Sequence, residues 1–221
     1  MIQALLLEKP CPLTADITWL KYMHFNIKEI PSTIVKQMKH KNVWQSDCPV
    51  SIKQLRLVEI SHLNFEGNTQ SGEIIVLDKL APSVLKIFQE LMIIKFPIHS
   101  AYLIDKYDGD DEKSMVANNS SSFNFRKIAG STKLSMHAYG LAIDINPVQN
   151  PYIEIKDDGS AQVHPKSGVD FLNRSNLRPG MVESIVPIFK KYGFSEWGGN
   201  WNKPIDYHHF QIPRSQVNEL I

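Results

Sequence analysis

The sequence is poor in cysteine and contains no long apolar run. Cys11 and Cys48 are its two cysteines, so it has neither a disulfide framework nor a C-x-x-C pair. The two residues can form one bridge or both stay reduced, and the sequence leaves both options open. No stretch approaches the roughly 18 apolar residues that a membrane-spanning helix needs, so we expect no membrane span.

An export signal and an excess of one charge are also missing. Residues 1–7 are apolar but short, lack a basic region and precede Pro10 and Pro12, so they make a poor secretory signal. Localisation therefore stays open. The 24 Lys and Arg residues nearly balance the 23 Asp and Glu residues, for a net charge of +1. This balance gives no reason to expect nucleic acid or an anionic membrane as a partner, and oligomeric state is not indicated.

The pattern of apolar residues predicts an α+β fold, with a mainly antiparallel sheet flanked by helices. Strands and helices do not alternate as βαβ units, and there are no internal repeats. We expect a helix from Asp78 to the residues before Pro97, and a second helix at 182–192. Strands are predicted around residues 55–60 and at 72–77, 98–104, 141–145 and 208–212.

Two long polar segments, residues 105–134 and 147–179, are predicted as loops. The first contains five acidic residues within 105–112. These acids lack the alternating spacing and the final glutamate of an EF-hand calcium loop, which favours a solvated loop. Loops of this length inside a compact domain are usually functional or disordered.

The first motif that carries chemistry is Ser-Met-His-Ala-Tyr-Gly-Leu-Ala-Ile-Asp, residues 135–144. In a strand over residues 141–145 the odd-numbered positions are apolar and share one face, whereas Asp144 points to the other face beside the small Ala142. Gly140 lets the chain bend, so that His137 can reach the same point as Asp144.

The second motif is Asp-Tyr-His-His-Phe-Gln-Ile, residues 206–212. The same alternation places His208 with Phe210 on the apolar side and His209 on the polar side. We therefore expect His209, and not His208, to bind a metal ion.

Two imidazoles and one carboxylate suit a catalytic zinc ion, because they leave a fourth position for water. Zinc-bound water can attack an amide near neutral pH, and a general base must take its proton. Asp206 is the first candidate for this base, although a bend must bring it to the metal side, and Glu196 is the second. No G-x-S-x-G elbow surrounds Ser135, which disfavours a serine nucleophile. On the residues alone, structural roles for these side chains stay open.

At these residues the sequence resembles the D-alanyl-D-alanine carboxypeptidase family of zinc peptidases, whose fold is shared with the hedgehog signalling domain. The pattern S-x-H-x-x-G-x-A-x-D is complete at residues 135–144, and an acid followed after two residues by His-Phe is present at 206–210. The resemblance extends from about residue 48 through Arg126 to residue 210; the two metal blocks are specific, and the matches before residue 100 are softer. The resemblance implies a zinc peptidase domain at residues 44–221, and residues 1–43 are a segment of unknown role.

The resemblance also implies roles for individual residues. One zinc ion would be held by His137, Asp144 and His209, with Asp206 as catalytic base and acid. Arg126 would polarise the scissile carbonyl or pair with a substrate carboxylate, and Ser135 would help to hold the substrate. Trp197 and Trp201 either line the cleft or pack on the Gly198–Gly199 turn.

The function implied is hydrolysis of an amide bond in peptidoglycan stem peptides by attack of zinc-bound water. A D-alanyl-D-alanine carboxypeptidase is the first expectation. The alternatives are an L-alanyl-D-glutamate endopeptidase of the same family and a non-catalytic, hedgehog-like binding module that contains zinc. A pure binding module has no need of an acid beside the metal, so Asp206 and Arg126 discriminate a peptidase from a binding module.

Overall fold

A computed structural model describes residues 18–221 of the chain. The predicted α+β class is confirmed, with several helices around small antiparallel sheets. Within residues 18–221 the strands form three sheets of three strands, in the orders β1-β2-β3, β4-β9-β7 and β6-β5-β8, and every strand pair within these sheets is antiparallel. The strands are β1 (Asn26–Lys28), β2 (Leu55–Leu63), β3 (Thr69–Leu77), β4 (Ala142–Asp144), β5 (Tyr152–Ile155), β6 (Ala161–His164), β7 (Glu196–Trp197), β8 (Ile205–Asp206) and β9 (His209–Gln211).

In the described part of the chain five α-helices accompany these strands, and α2 is the longest of them. They are α1 (Ser32–His40), α2 (Ala81–Ile93), α3 (Asp111–Val116), α4 (Val186–Lys191) and α5 (Val217–Leu220). The apolar positions of α2 recur every three or four residues, which gives one face that packs on β2. Among residues 18–221 no helix combines the length and apolar character needed to cross a membrane.

The core lies between the first sheet, α2 and the strands that carry the two motifs. Side chains from β2, β3, α2, β4 and β9 belong to one buried apolar cluster, and Met38 and Val43 are part of it. Residues 26–28 also pair with β2. Part of the segment before residue 44 is therefore packed into the same core as the rest, while its role stays unassigned. Cys11, the possible bridge partner of Cys48, lies outside the described residues.

The predicted strand at residues 98–104 is wrong. Pro97 and Ser100 make isolated bridges to Leu63 and Asn119, and a 3-10 helix begins at Ile104. Because Pro97 and Ser100 pair with two different parts of the chain, no continuous strand ladder forms. The predicted helix before it ends early, at Ile93, because Lys95 adopts a left-handed conformation with φ of 58°.

The two predicted loops contain secondary structure. Residues 105–134 include α3, whose N-cap Asp110 accepts a hydrogen bond from the Lys113 amide at 3.0 Å. Residues 147–179 include the β5–β6 hairpin. The predicted helix at 182–192 is a 3-10 turn over Val182–Ile185 followed by α4, with Pro187 in the first turn of α4.

Candidate functional site

Two of the three predicted metal ligands are directly opposite each other in one strand pair. β4 and β9 are antiparallel, and Asp144 is the register partner of His209. Both side chains are buried, although each has a polar head group. Buried charged groups are costly unless they are paired, and these two side chains are close enough to pair with each other or to share an ion.

His137 reaches the same point from a 3-10 turn, Met136–Tyr139, that precedes β4. The turn ends at Gly140, which has φ of 67°, and a Cβ at this position would lie 2.6 Å from the Leu77 amide nitrogen. Glycine is therefore required both by the left-handed conformation and by the close approach of β3. This explains how two ligands seven residues apart converge on one point.

The three donor groups are close enough to share one ion. His137 Nε2 lies 3.1 Å from Asp144 Oδ2 and 3.2 Å from His209 Nδ1, and His209 Nδ1 lies 2.9 Å from Asp144 Oδ1. Ligand atoms about 2.0–2.1 Å from a tetrahedral zinc ion are roughly 3.3 Å apart. The group His137, Asp144 and His209 therefore fits a metal ion.

Hydrogen bonds to the opposite ring nitrogens fix both imidazoles. His137 Nδ1 donates to the Ser122 carbonyl oxygen at 2.6 Å, which leaves Nε2 free to bind a metal. His209 Nε2 lies 2.9 Å from Gln211 Oε1, and the Gln211 amide donates to Glu196 Oε2 at 2.6 Å. His209 thus presents Nδ1, and not Nε2, to the shared point.

The electrostatics of the ligand group favour an ionised carboxylate. Burial alone would raise the pKa of Asp144, but the neighbouring His137 and His208 imidazoles and the hydrogen bonds from His137 and His209 hold it well below its usual range. Burial alone would lower the pKa of His209, yet the hydrogen bond to Asp144 and the charges of Asp144 and Asp206 raise it to about 9. Asp144 therefore offers a negative charge beside two imidazoles.

The ligand group lies at a cavity of about 320 Å³. Asp206, Arg126 and Ser135 line this cavity together with His137 and His209. It is large enough to accommodate part of a peptide, and both acidic and basic side chains contact it. The structure thus brings together all the predicted catalytic and substrate-binding residues.

Asp206 reaches the cavity because the chain bends before β9. It belongs to β8, which pairs with Tyr152 of β5 in a different sheet, and a turn at residues 207–208 separates it from β9. The bend that the sequence required is therefore present. Burial raises the pKa of Asp206 above its ordinary value, although the His208 and His209 imidazoles oppose this effect.

Arg126 forms an ion pair with Asp111 of α3, at 2.7 Å between guanidinium and carboxylate. Its Nε is buried and has no hydrogen-bond partner among residues 18–221. The Ser135 hydroxyl accepts the His137 amide at 3.3 Å, so Ser135 also caps the turn that carries His137.

Glu196 and Trp197 lie away from the cavity. The Glu196 carboxylate accepts the Gln211 amide, so its contact with the ligand group is indirect and it is a poor candidate for the base. Trp197 stacks near Phe210, donates to the Tyr207 carbonyl at 2.8 Å and packs against the turn at Gly199. Trp201 does line the cavity, with its ring centroid 5.4 Å from that of His209.

His208 is not in the ligand group, as expected, but its surroundings differ from the apolar face that alternation predicts. Its Nδ1 lies 2.8 Å from the Asn150 carbonyl oxygen, and its Nε2 lies 3.1 Å from Asp206 Oδ1. β9 begins one residue later, at His209, so the period-two rule does not apply to His208. The sequence analysis gave no role to Asn150 or Gln211. The partners Gly180 and Val182 of Asn150 are distant in the chain, whereas Gln211 lies only two residues from His209.

Comparison with known proteins supports the resemblance. Residues 129–212 match the family model described as D-alanyl-D-alanine carboxypeptidase. The matched segment contains His137, Asp144, Asp206 and His209, so it agrees with the family predicted from the motifs. No curated protein and no solved structure matches the chain.

Proposed function

We propose, from the match to a family of D-alanyl-D-alanine carboxypeptidases, that this peptidase is a zinc enzyme acting on peptidoglycan stem peptides. The bond it cuts is the terminal D-alanyl-D-alanine amide. The observation that carries the proposal is the convergence of three buried donor atoms beside a cavity that also contains an acid and a guanidinium.

His137, Asp144 and His209 would hold the zinc ion through the atoms that converge in the structure, and their chemistry suits it. When bound, zinc supplies a Lewis acid for a carbonyl oxygen and makes water acidic enough to act as a nucleophile near neutral pH. The chain's part is to keep these donors fixed. The Ser122 carbonyl and the Gln211 amide do so through the opposite ring nitrogens.

Asp206 would take a proton from the attacking water on a carboxylate oxygen and give it to the leaving amine. A base that then acts as an acid works best when its pKa is close to the working pH. Burial shifts the pKa of Asp206 in that direction, upwards from that of an ordinary aspartate. Its position on the cavity wall, outside the ligand group, supports the same assignment.

Arg126 would bind the carboxylate at the end of the substrate. Its planar guanidinium suits two-point binding of a carboxylate, and the unpartnered Nε is one donor for it. The Asp111 carboxylate pairs with Nη2, another donor of the same guanidinium. Ser135 lines the same cavity, so its hydroxyl proton is available to the peptide while its oxygen caps the His137 turn.

The proposal is tested by incubating the purified protein with muropeptides that carry pentapeptide stems and analysing the products by mass spectrometry. We expect loss of one alanine, abolition by a chelator and recovery when zinc is returned. Cleavage between L-alanine and D-glutamate would instead support an endopeptidase. Unchanged cleavage in the presence of chelator would overturn the zinc mechanism.

Two substitutions separate catalysis from metal binding. Asp206→Ala should keep one zinc ion per chain and lower kcat by about 10²–10⁴-fold, because it removes the base and leaves the ligands intact. His209→Ala should lose both zinc and hydrolysis. If Asp206→Ala cleaves at the native rate, the assignment of the base is wrong. If the native protein binds zinc and cleaves no stem peptide, it is a binding module.

A further inference from the structure

His208 connects the proposed base to a buried polar network. Its side chain is 3% exposed, and Nδ1 must donate to the Asn150 carbonyl because a carbonyl oxygen can only accept. The ring then faces Asp206 with Nε2, 3.1 Å from Oδ1, and this contact has the distance but not the alignment of a hydrogen bond. His208 Nε2 is also 3.9 Å from Asp144 Oδ2.

The Asn150 side of this network is held firmly. Asn150 is fully buried, and its amide nitrogen donates to the carbonyls of Ile145, Asn146 and Gly180 at 2.8–3.1 Å. Its side-chain oxygen accepts from the Val182 amide at 3.0 Å. Every polar group of this side chain is therefore used, which fixes the segment whose carbonyl orients His208.

Arg174 ties the network to a second carboxylate. Its guanidinium donates to Asn150 Oδ1 at 2.9 Å and makes a two-point ion pair with Glu183, at 2.6 and 2.8 Å. The same guanidinium lies over the ring of Tyr207, 4.3 Å from its centroid. The residues on both sides of Tyr207 are Asp206 and His208, so this stack fixes the turn between them.

The backbone of Asp206 is held from the opposite side. A Cβ on Gly198 would lie 2.5 Å from the Asp206 carbonyl oxygen and 2.9 Å from its Cβ. The Trp197 indole donates to the Tyr207 carbonyl at 2.8 Å. The main chain at Asp206 thus has little room to move, and the remaining freedom is rotation of its carboxylate.

We propose that His208 is a positioning residue, which orients the Asp206 carboxylate toward the cavity through the contact between its Nε2 and Asp206 Oδ1. It is not in the ligand group, and although it also lines the cavity, its proposed role is exerted through Asp206. The inference rests on the proposed function, because orientation of Asp206 affects the rate only if Asp206 is the base. The alternation of side chains along β9 does not distinguish a positioning histidine from a buried histidine that only stabilises the fold.

Substitution of His208 by glutamine or by asparagine tests the two ring nitrogens separately, because each side-chain amide takes the place of one of them. In His208→Gln the side-chain amide takes the place of Nε2 and still meets Asp206, whereas in His208→Asn it takes the place of Nδ1 and meets Asn150 alone. We expect kcat within about threefold of native for Gln and about 10- to 100-fold lower for Asn, since a displacement of about 1 Å is enough for such a loss. KM and zinc content should be unchanged in both.

Equal kcat in the Asn and native proteins would overturn the proposal. So would a loss in both variants that follows zinc content or the folded fraction, because a merely structural histidine predicts that result. If His208→Asn does not fold, His208→Leu keeps the buried volume without either donor. It should then show the same fall in kcat beside an active Gln variant, and a native rate for it would count against the proposal.

A measurement without substrate separates this inference from the proposed function. The melting temperatures of metal-free Asp206→Asn, His208→Asn and the double variant form a cycle. If the two side chains interact, the double variant should lose about 2–4 °C less than the sum of the single losses. Additive losses would refute the contact even in an active enzyme. A non-additive result with no hydrolysis would refute the proposed function and leave the contact standing.

Discussion

Two regions of the molecule differ in the side chains that they bury: one buries mainly apolar groups, and the other buries many polar groups. The scaffold region, residues 26–93, contains the nine-residue strands β2 and β3 and the helix α2, with Ser61 and His62 as its buried polar side chains. The site region, residues 118–212, has strands of two to four residues. Its buried polar side chains are Asn118, Asn119, Ser120, Ser121, Ser122, Asn124, Ser135, His137, Asp144, Asn146, Gln149, Asn150, His208, His209 and Gln211.

The difference shows what each region needs from its sequence. Apolar packing is non-directional and tolerates exchange of one side chain for another of similar volume, so the scaffold region needs only the right pattern. A buried polar group needs a partner at a defined distance and angle, so the site region needs particular residues. Stability should therefore depend mainly on the first region, and metal binding and catalysis on the second.

The largest effect should come from a cavity in the scaffold region. Phe88 of α2 is 1% exposed, and Phe88→Ala should lower the free energy of unfolding by about 3–5 kcal/mol. Zinc stoichiometry of the folded protein should stay the same, because no ligand contacts Phe88. Chemical denaturation and metal analysis measure the two quantities. Lys86→Ala on the exposed side of α2 is the control, and a loss of zinc in folded Phe88→Ala would contradict the division into two regions.

A smaller effect on stability and a larger one on metal binding should follow from Gln211→Ala. The substitution removes the acceptor of His209 Nε2 and leaves Glu196 without its amide donor. We expect zinc affinity to fall about 10- to 100-fold, the usual cost of losing such a supporting contact. Titration with a competing chelator measures it, with exposed Gln216→Ala as the matched control. Equal affinities in the two variants would mean that Gln211 does not support the ligand.

The scaffold region also has an electrostatic contact that acid should break. Hydrogen bonding to Lys28, with help from His24 and Asn26, lowers the pKa of Glu59 from 4.5 to about 2 although burial opposes it. A carboxylate with a lowered pKa stabilises the fold above about pH 4.5 and loses this effect as the pH falls towards 2. Glu59→Gln should therefore reduce the difference in unfolding free energy between pH 7 and pH 3. An unchanged difference would show that Glu59 is not responsible.

The smallest effect should come from the ion pair at the edge of the cavity. The Arg126 and Asp111 side chains are 30% and 32% exposed, and pairs of this kind contribute at most about 1 kcal/mol. Because Asp111 competes with a substrate carboxylate for Arg126, Asp111→Asn should lower KM by no more than about fivefold, with kcat unchanged. Steady-state kinetics on stem peptides decide it. A higher KM would mean that Asp111 orients Arg126 and does not compete for it.

Period-two alternation was sufficient for the centre of the site region. It predicted that Asp144 and His209 face the same point, and the register of β4 and β9 brings them opposite each other. The bend between His137 and Asp144 followed from one glycine, Gly140. These are local signals, in which each residue's direction depends on its own strand or turn.

Two of the supporting residues had no local signal. Ser122 and Asn150 act through partners that only the folded chain brings near, such as the Ser122 carbonyl 15 positions before His137. Gln211 differs, because it lies two residues after His209 on the same side of β9. The β5–β6 hairpin and α3 were missed for another reason, since they lie in polar segments with no clear apolar period. The role of His208 was hard to predict for two reasons. It lies in a turn, where alternation gives no direction, and its contacts are with Asp206 of β8 and the carbonyl of residue 150.

The pairing of Asp144 with His209 has a consequence for how the chain selects its register. A slip of one residue between β4 and β9 would turn His209 to the opposite face and leave Asp144 facing Phe210 or His208. With only three residues in each strand, the ladder itself discriminates weakly between these arrangements. An ion that binds only the native pairing adds RT ln(1 + [L]/Kd) to its stability, which is about 4 kcal/mol at 1,000 times Kd. A metal ion held by this ligand pair would therefore favour the native strand alignment over the two slipped ones, whether or not substrate is present.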